Sequence, residues 1–405
     1  MIDLQPTPAA ADLTRATLAF VRDEILPLEE EHEGDIARGG EALRERMQER
    51  ARAAGVFAPH APREYGGHGL DMRDRAPVFE AAGHSVFGPL ALNIAAPDEG
   101  NVHLLDHIAT PDQRERFLEP LCRGRVRSAF AMTEPAPGAG SDPSALATTA
   151  TRVPGGWRID GRKTFITGAD GAGFLIIMAR TSGSPGDRGG ATMFLSPADA
   201  PGLTVGRHVR TMDTSMLGGH REVALDGLFV PDENVLGEVD QGFRNAQVRL
   251  GPARTTHVMR WLGSAQRAQD IAAARAADRE LFGSLLGDLG LARQLIADNE
   301  IDLAATRALL VRACWELDTG ADARTSTSIA KTFAAEAIHR VVDRAVQLCG
   351  GLGVSDDLPL ARLLREVRPF RIYDGPSEVH RWSIAARVVK EALVVKEALV
   401  VEGAR

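Results

Sequence analysis

GWRIDGRKTFITGADGAGFLIIMAR, residues 156–180, decides how the chain is read. Two short runs, GWRID and GRKTFIT, bracket a hairpin-like unit, and FLIIMAR (174–180) is a compact apolar run of strand length. ATMFLSP (191–197), GLTVGRHV (202–209) and REVALDGLFVP (221–231) continue the texture, and Pro231 stops the last of them. RTSGSPGDRGG (180–190) is a surface loop between two of these strands. Short β-rich runs separated by Gly and Pro clusters predict a small barrel or sandwich.

Outward from this stretch both flanks read as helices. Leu13, Thr17, Phe20, Val21 and Ile25 recur at helical spacing in a pattern that runs to about Ala54. Helical segments continue near 71–87 and 111–123, where Pro111 and Asp112 resemble a helix start. The charge-dense LEEEHEG (28–34) and LRERMQERAR (43–52) are solvated helix faces. From about Gly242 long Ala-, Leu- and Arg-rich helices return, broken mainly at FGSLLGDLGL, DTGADA and CGGLGVSDDLPL, which is the pattern of a bundle. The expected organisation is an N-terminal helical domain over 1–127, a β domain over 128–240, a C-terminal helical bundle over 241–393 and a tail over 394–405. The tail's VVKEAL repeat fits neither the helical nor the heptad period; it either extends the last helix or is disordered.

The 405 residues are 44% hydrophobic and 25% charged, an ordinary globular balance with room for two or three domains. A net charge of −8 argues against a general nucleic-acid binder, but an anionic ligand needs only local donors. Cys122, Cys314 and Cys349 are far apart and no CxxC occurs, so no disulfide framework or zinc ribbon is expected and a reducing, cytoplasmic location fits. The first twenty or so residues lack a basic segment followed by an apolar stretch, and no apolar run reaches the roughly eighteen residues of a membrane span.

Several motifs carry chemistry. AMTEPAPGAGSDPSAL (131–146) packs Thr, Ser, Asp and small residues around prolines, a loop able to turn backbone N–H groups toward phosphate oxygens, or an ordinary surface loop. No GxSxG elbow makes Ser141 a hydrolase nucleophile. CGGLGV (349–354) follows a helix and lacks full GxGxxG spacing, so a helix stop is the local reading. HLLDH puts His103 and His107 on one helix face with no third ligand, and no metal is expected. KTFITGADGAG (163–173) groups an aromatic, an aliphatic and a hydroxyl residue at a strand end, which suits either a core or an apolar ring with a polar edge. RIYDGPSEVHR (371–381) is turn chemistry between helical patterns, with Asp374 as a carboxylate in the turn.

Taken in order, MTEP…GAGSD, KTFITG, DGLFVP…VLGEVDQGF, DRELFGSLL, VQLCGGLGV and IYDGPSEVHR resemble the flavin-dependent acyl-CoA dehydrogenase family over about residues 13–390. LNIAAPDEGNVHLL, LGGHREVALDGLFVP, RLGPARTTHVMRWLG and the Asp-Gly-Pro loop are similar to a branch whose larger members carry a kinase-like domain, absent from this sequence. The resemblance implies an α+β architecture: an N-terminal helical domain, a middle β-barrel or sandwich and a C-terminal four-helix bundle. It implies α,β-dehydrogenation of an acyl-CoA thioester to the trans-2-enoyl-CoA, as in fatty acid β-oxidation, with a base taking the α-proton and hydride leaving for N5 of FAD. Many members carry Glu-Gly-Thr where this chain has Asp374-Gly375-Pro376, and others place the base just before the arginine matching Arg254. That position is Ala253 here, so Asp374 is the family-position carboxylate that remains. Closure of the site is expected to raise its pKa.

By the same resemblance Phe130, Met132 and Thr133 would line the isoalloxazine from one strand, and Phe165, Ile166 and Thr167 would cover its other side. Gly140 and Ser141 would lie by the pyrophosphate or the CoA arm. Arg279 and Phe282 would come from a neighbouring subunit, and Gln347, Gly350 and Gly351 would hold the adenosine end. Ile372, Tyr373, Pro376 and Glu378 would flank the flavin near the base, and Ser141, Arg254 and Asp374 would meet the substrate. Two departures stand out: Ala136-Pro137 resembles an insertion in the phosphate loop, and Gly290 replaces a Gln that contacts FAD in many members. A homodimer or dimer of dimers and an electron-transfer flavoprotein as acceptor are implied. The alternatives on the same fold are a nitroalkane-oxidase-like flavin oxidase and a hydroxyacyl-CoA-processing enzyme.

Overall fold

The computed structural model describes residues 5–403. Side-chain caps set its first helices. Thr7 accepts from the Ala10 amide at the head of α1 (Pro8–Phe20), which runs on through a π turn toward Glu31. The helical pattern expected to continue to Ala54 is instead two helices. Glu33 and Gly34 both adopt positive φ, and a Cβ on Gly34 would meet the Arg362 side chain, so the chain turns before α2 (Gly40–Ala53). Asp71 caps α3 (Met72–Ala82), and α4 (Asp98–Ile108) follows.

The middle of the chain forms β1 (Arg127–Ala131), β2 (Thr149–Val153), β3 (Gly156–Thr167), β4 (Ala172–Arg180), β5 (Ala191–Pro197), β6 (Leu203–His208), β7 (His220–Pro231) and β8 (Val235–Leu236). Their order is β6-β7-β3-β2-β4-β5-β8, with β1 parallel to β4. The expected hairpin within GWRIDGRKTFIT is a correction: these residues are one strand, β3, and the turn lies before it at Gly155, whose φ is +77°. Gly161 marks a register shift rather than a turn, because a Cβ there would sit 2.4 Å from the Thr148 hydroxyl. Ile159, Ile166, Leu175, Ile177, Phe194, Val223 and Leu228 form the sheet's own core.

From Gly242 the chain is helical: α5 (Gly242–Asp278), α6 (Gly290–Asp318), α7 (Arg324–Cys349), α8 (Leu360–Val367) and α9 (Ser377–Gly403). A small hairpin, β9 (Glu280–Leu281) and β10 (Ser284–Leu285), joins α5 to α6. α5, α6 and α7 pack on one another, and α9 packs on α7. The VVKEAL repeat continues α9. α3 runs close against α5: a Cβ on Gly83 or Gly263 would lie about 2 Å from a backbone carbonyl of the other segment, and Ser264 Oγ donates to Gly83 O at 2.8 Å. This contact fixes α5, which carries much of the site, against the N-terminal helices. Among the described residues no helix is long and apolar enough to cross a membrane.

Candidate active site

Asp374 lies in the turn between α8 and α9 with φ +54°, a left-handed conformation that Asp adopts more readily than most residues. Gly375 follows at φ +96°, and a Cβ there would sit 2.7 Å from His380 Nε2. The turn's backbone is tied from three helices. On α5, Arg254 Nε donates to Asp374 O at 3.1 Å. On α9, His380 Nε2 lies 3.1 Å from the same oxygen. On α7, Lys331 Nζ donates to Gly375 O at 2.6 Å and sits 5.2 Å over the Phe370 ring. The Asp374 N–H donates to no acceptor among the described residues.

The carboxylate is held differently. His257 Nε2 lies 3.3 Å from Asp374 Oδ2 but out of hydrogen-bond alignment, so Oδ2 is buried without a hydrogen-bond partner. Arg260 donates to His257 Nδ1 at 2.9 Å, which puts the ring proton on Nε2, facing Asp374. Burial opposes ionisation of Asp374, but His257, Arg249 and Arg254 outweigh it and hold the carboxyl below its usual range. This is the balance in the free protein, before any substrate closes the site. Burial, then Arg260, keeps His257 neutral, with Asp374 pulling the other way. Burial brings Lys331 down to about 8. Tyr373 stacks on His257 with ring centres 4.8 Å apart and accepts from Trp261 Nε1.

Arg249 links this turn to the sheet. Its guanidinium lies 4.3 Å over the Phe130 ring of β1, and its Nε donates to Asn101 Oδ1 at 2.8 Å. Met132 and Thr133 leave β1 beside the end of β3: Thr164 N donates to Thr133 O, and Lys163 Nζ to Met132 O. Ile166 is buried, whereas Phe165 is 54% exposed at φ +55° and Ile372 is 58% exposed. Thr167 Oγ1 lies 2.9 Å from His220 Nδ1, and His220 Nε2 lies 2.9 Å from Asp213 Oδ2. Gly140 and Ser141 are exposed on the loop after β1, and a Cβ on Gly140 would meet open space. Pro376 and Glu378 flank the start of α9, Glu378 exposed. The exposed apolar faces of Phe165 and Ile372, the Thr167 hydroxyl held by His220 and the open glycine loop fit a planar ring system with a phosphate arm.

The remaining cofactor candidates do not join this group. Arg279 lies twenty-five residues along the chain from Arg254, on the order of 37 Å at helical rise, and Gln347 lies on the order of 24 Å along α7 from Lys331. Phe282 is 93% exposed at φ +52°, and Gly350 and Gly351 face open space. Phe165 and Phe282 are the only aromatics at positive φ among the described residues, one in each group.

Sequence reasoning missed His257, Arg249, Arg260, Lys331 and His380. The signal for three of them was present: Arg249, His257 and Arg260 recur at i, i+8 and i+11 on α5. It also missed Glu134, which accepts from Ala139 N, Ala147 N, Thr148 N and Lys163 Nζ and so folds the phosphate-loop candidate around itself. His103 and His107 stack with ring centres 4.0 Å apart.

Models of the acyl-CoA dehydrogenase N-terminal, middle and C-terminal domains match residues 7–125, 129–227 and 240–389. The chain is 41% identical over 322 residues to the probable acyl-CoA dehydrogenase FadE2 of Mycobacterium tuberculosis, covering 78% of this chain and 79% of that one. The structure of a putative acyl-CoA dehydrogenase from Mycobacterium abscessus superposes with a TM-score of 0.88 at 36% identity, covering 96% of this chain and all of that one. The structure of PigA with FAD and proline superposes with a TM-score of 0.86 at 25% identity over 95% of this chain and 99% of that one. With all three domains matched in order, the chain belongs to the acyl-CoA dehydrogenase family, an oxidoreductase family whose cofactor is FAD.

Proposed function

We propose that this protein converts an acyl-CoA thioester to the trans-2-enoyl-CoA with Asp374 as the α-proton base. One observation carries the reading: a partly buried, ionised carboxylate has an oxygen free of hydrogen bonds while its backbone is tied on three sides. FAD, when bound, supplies the acceptor for the hydride leaving the β-carbon. The α C–H bond breaks toward the Asp374 carboxylate, its electron pair becomes the new double bond, and the β-hydride departs with its own pair. An α-proton of a thioester is a poor acid, so the developing enolate oxygen needs donors where its charge appears. The unpartnered Asp374 N–H is suited to that role. The low pKa of Asp374 keeps the base ionised throughout the working range, while its strength must come from desolvation and aim when substrate enters.

Phe130, Met132, Thr133, Phe165, Ile166, Thr167, Ile372, Tyr373, Pro376 and Glu378 would hold the flavin ring of one site. Arg279, Phe282, Gln347, Gly350 and Gly351 would serve the site of a second copy. The separation along α5 and α7 supports that division, and with it a homodimer or dimer of dimers. Arg254 acts on the loop through Asp374 O, which leaves its outer donors for CoA, and an electron-transfer flavoprotein would take the electrons onward.

The test is anaerobic mixing of the FAD-loaded protein with acyl-CoAs of graded length and branching. The wild type loses flavin absorbance with at least one of them. Asp374→Asn retains FAD and bleaches about 10²–10⁴-fold more slowly. Bleaching of that variant at near wild-type rate would remove Asp374 from the mechanism.

A further inference from the structure

We infer that His257 is a positioning residue that aims the Asp374 carboxylate, locked in a single tautomer by Arg260; the inference rests on Asp374 being the base. Arg260 is itself immobile. Its Nη1 donates to Ile94 O at 2.9 Å and lies 3.8 Å from Glu99 Oε2, and Thr256 Oγ1 donates to the same Glu99 oxygen at 2.8 Å. With Nη2 donating to His257 Nδ1, the imidazole can present only Nε2–H to Asp374. Ring contacts fix the plane of the imidazole: its centre lies 4.8 Å from that of Tyr373 and 5.9 Å from that of Phe370, both in the segment that carries Asp374. The donor and its carboxylate are thus indexed to one another through packing.

The contact is close but unaligned, which suits a base that must turn toward substrate. A saturated carboxylate would have to break a hydrogen bond to reach an α-proton, and an unattended one would lack an aim. His257 is not a proton relay. Nδ1 is occupied by Arg260, Nε2 already carries its proton, and a second proton would place an imidazolium against a buried guanidinium. The other charged or titratable groups around Asp374 act elsewhere. Arg254 and His380 engage its carbonyl, and Lys331 engages the next one. Arg249 is committed to Asn101 and Pro97 O, Glu99 stands behind Arg260, and Tyr373 faces Trp261. Among the described residues His257 alone places a donor within reach of the carboxylate. That aim matters more for aspartate than for glutamate, because the side chain is one methylene shorter and small misplacements are costly in rate.

The experiment uses FAD-loaded wild type, Asp374→Asn, His257→Leu and His257→Gln with acyl-CoA analogues bearing sulfur at the β position. These analogues can lose the α-proton but cannot give up hydride, and the bound enolate shows as a long-wavelength charge-transfer band. In the wild type the band forms with no acid limb above about pH 5. In His257→Leu it forms roughly ten- to a hundredfold more slowly, with an acid limb raised by about one unit or more, while analogue affinity and FAD content stay within about threefold. Gln offers a similarly placed N–H and restores both rate and limb. A Leu variant with the wild-type rate and pH profile overturns the inference. So does a Gln variant as impaired as Leu, or a slowing matched by loss of FAD with no movement of the limb, since either marks His257 as structural. If Asp374→Asn still forms the band, the base assignment fails, separately from the role of His257.

Discussion

Glu134 in the middle domain accepts four hydrogen bonds, from Lys163 Nζ and Thr148 N on one oxygen and from Ala139 N and Ala147 N on the other. Asp374 in the C-terminal domain sits among more positive charge, yet its Oδ2 accepts none, and the ties fall on the carbonyls of residues 374 and 375. Both carboxylates are ionised against the pull of burial, Glu134 by the Lys163 charge and the bonds around it, Asp374 by His257 first and then by Arg249 and Arg254. Burial opposes ionisation of Glu134, but Lys163 and the surrounding amides bring its pKa down to about 2. The structural carboxylate is bonded at every lone pair and shapes a loop. The proposed base has its backbone fixed and its oxygen left free, as suits a group that must exchange one proton for another without first dismantling its surroundings.

The comparison breaks most visibly at Glu134. Glu134→Ala leaves the Lys163 ammonium buried with the Met132 carbonyl but no counter-charge, and frees the amides of Ala139, Ala147 and Thr148. Loss of one member of a buried pair of this kind is worth about 3–5 kcal/mol. Urea unfolding should show that loss, with FAD binding weakened because the 134–148 loop loses its internal anchor. The sign with pH follows from the depressed pKa. The Glu134 contribution is fully present above the ordinary glutamate range and is lost as pH falls through about 2. An unchanged unfolding midpoint would mean that the loop holds its shape without the clamp.

A third buried carboxylate sharpens the distinction. Glu366 on α8 accepts from Thr214 N, Thr214 Oγ1 and Ser215 Oγ, joining the loop before β7 to the C-terminal helices. No cation pairs with it among the described residues, and burial pushes it up to about 7 despite these bonds, with Asp213 adding to the rise. A raised carboxyl stabilises the fold below its unfolded pKa and loses that contribution as pH rises through about 7. Glu366→Gln keeps the acceptor oxygen and removes the charge. Its stability relative to wild type should therefore improve between about pH 5 and 8, by on the order of 2 kcal/mol. A parallel pH dependence in the two proteins would show that Glu366 does not titrate there.

How much of this was legible in the sequence depends on the range over which each signal acts. The helical, β, helical order was readable because strand and helix periods are local, and the six ordered motifs placed Asp374 at the base position. The hairpin reading of GWRIDGRKTFIT failed because Gly161 looks like a turn residue. Its cause is the Thr148 hydroxyl pressed against it, a contact made by the segment just before β2. The groups that hold the Asp374 carboxyl low in the free protein, His257, Arg249 and Arg254, were not legible beside it because they come from α5, more than a hundred residues away in the chain. Lys331 and His380 carry no local signature at all, since each acts through a backbone carbonyl that sequence does not reveal.

Lys331 supplies the smallest of these effects and the cleanest contrast with Glu134. It is fully buried, and burial brings its pKa down to about 8, so carrying an ammonium there weakens the fold. What it gives in return is the 2.6 Å bond that fixes the carbonyl of Gly375, directly after the proposed base. Lys331→Met keeps a side chain of similar shape and removes the donor. Stability should hold or rise, because a buried charge has been replaced by an apolar group. Flavin bleaching by substrate should slow by roughly tenfold with FAD content unchanged, because the turn that aims Asp374 has lost one of its three ties. Glu134→Ala and Lys331→Met would then differ in kind, the first losing stability and the second losing rate. A Lys331→Met protein that unfolds more easily yet bleaches at the wild-type rate would place Lys331 with Glu134, as scaffold rather than as part of the aim.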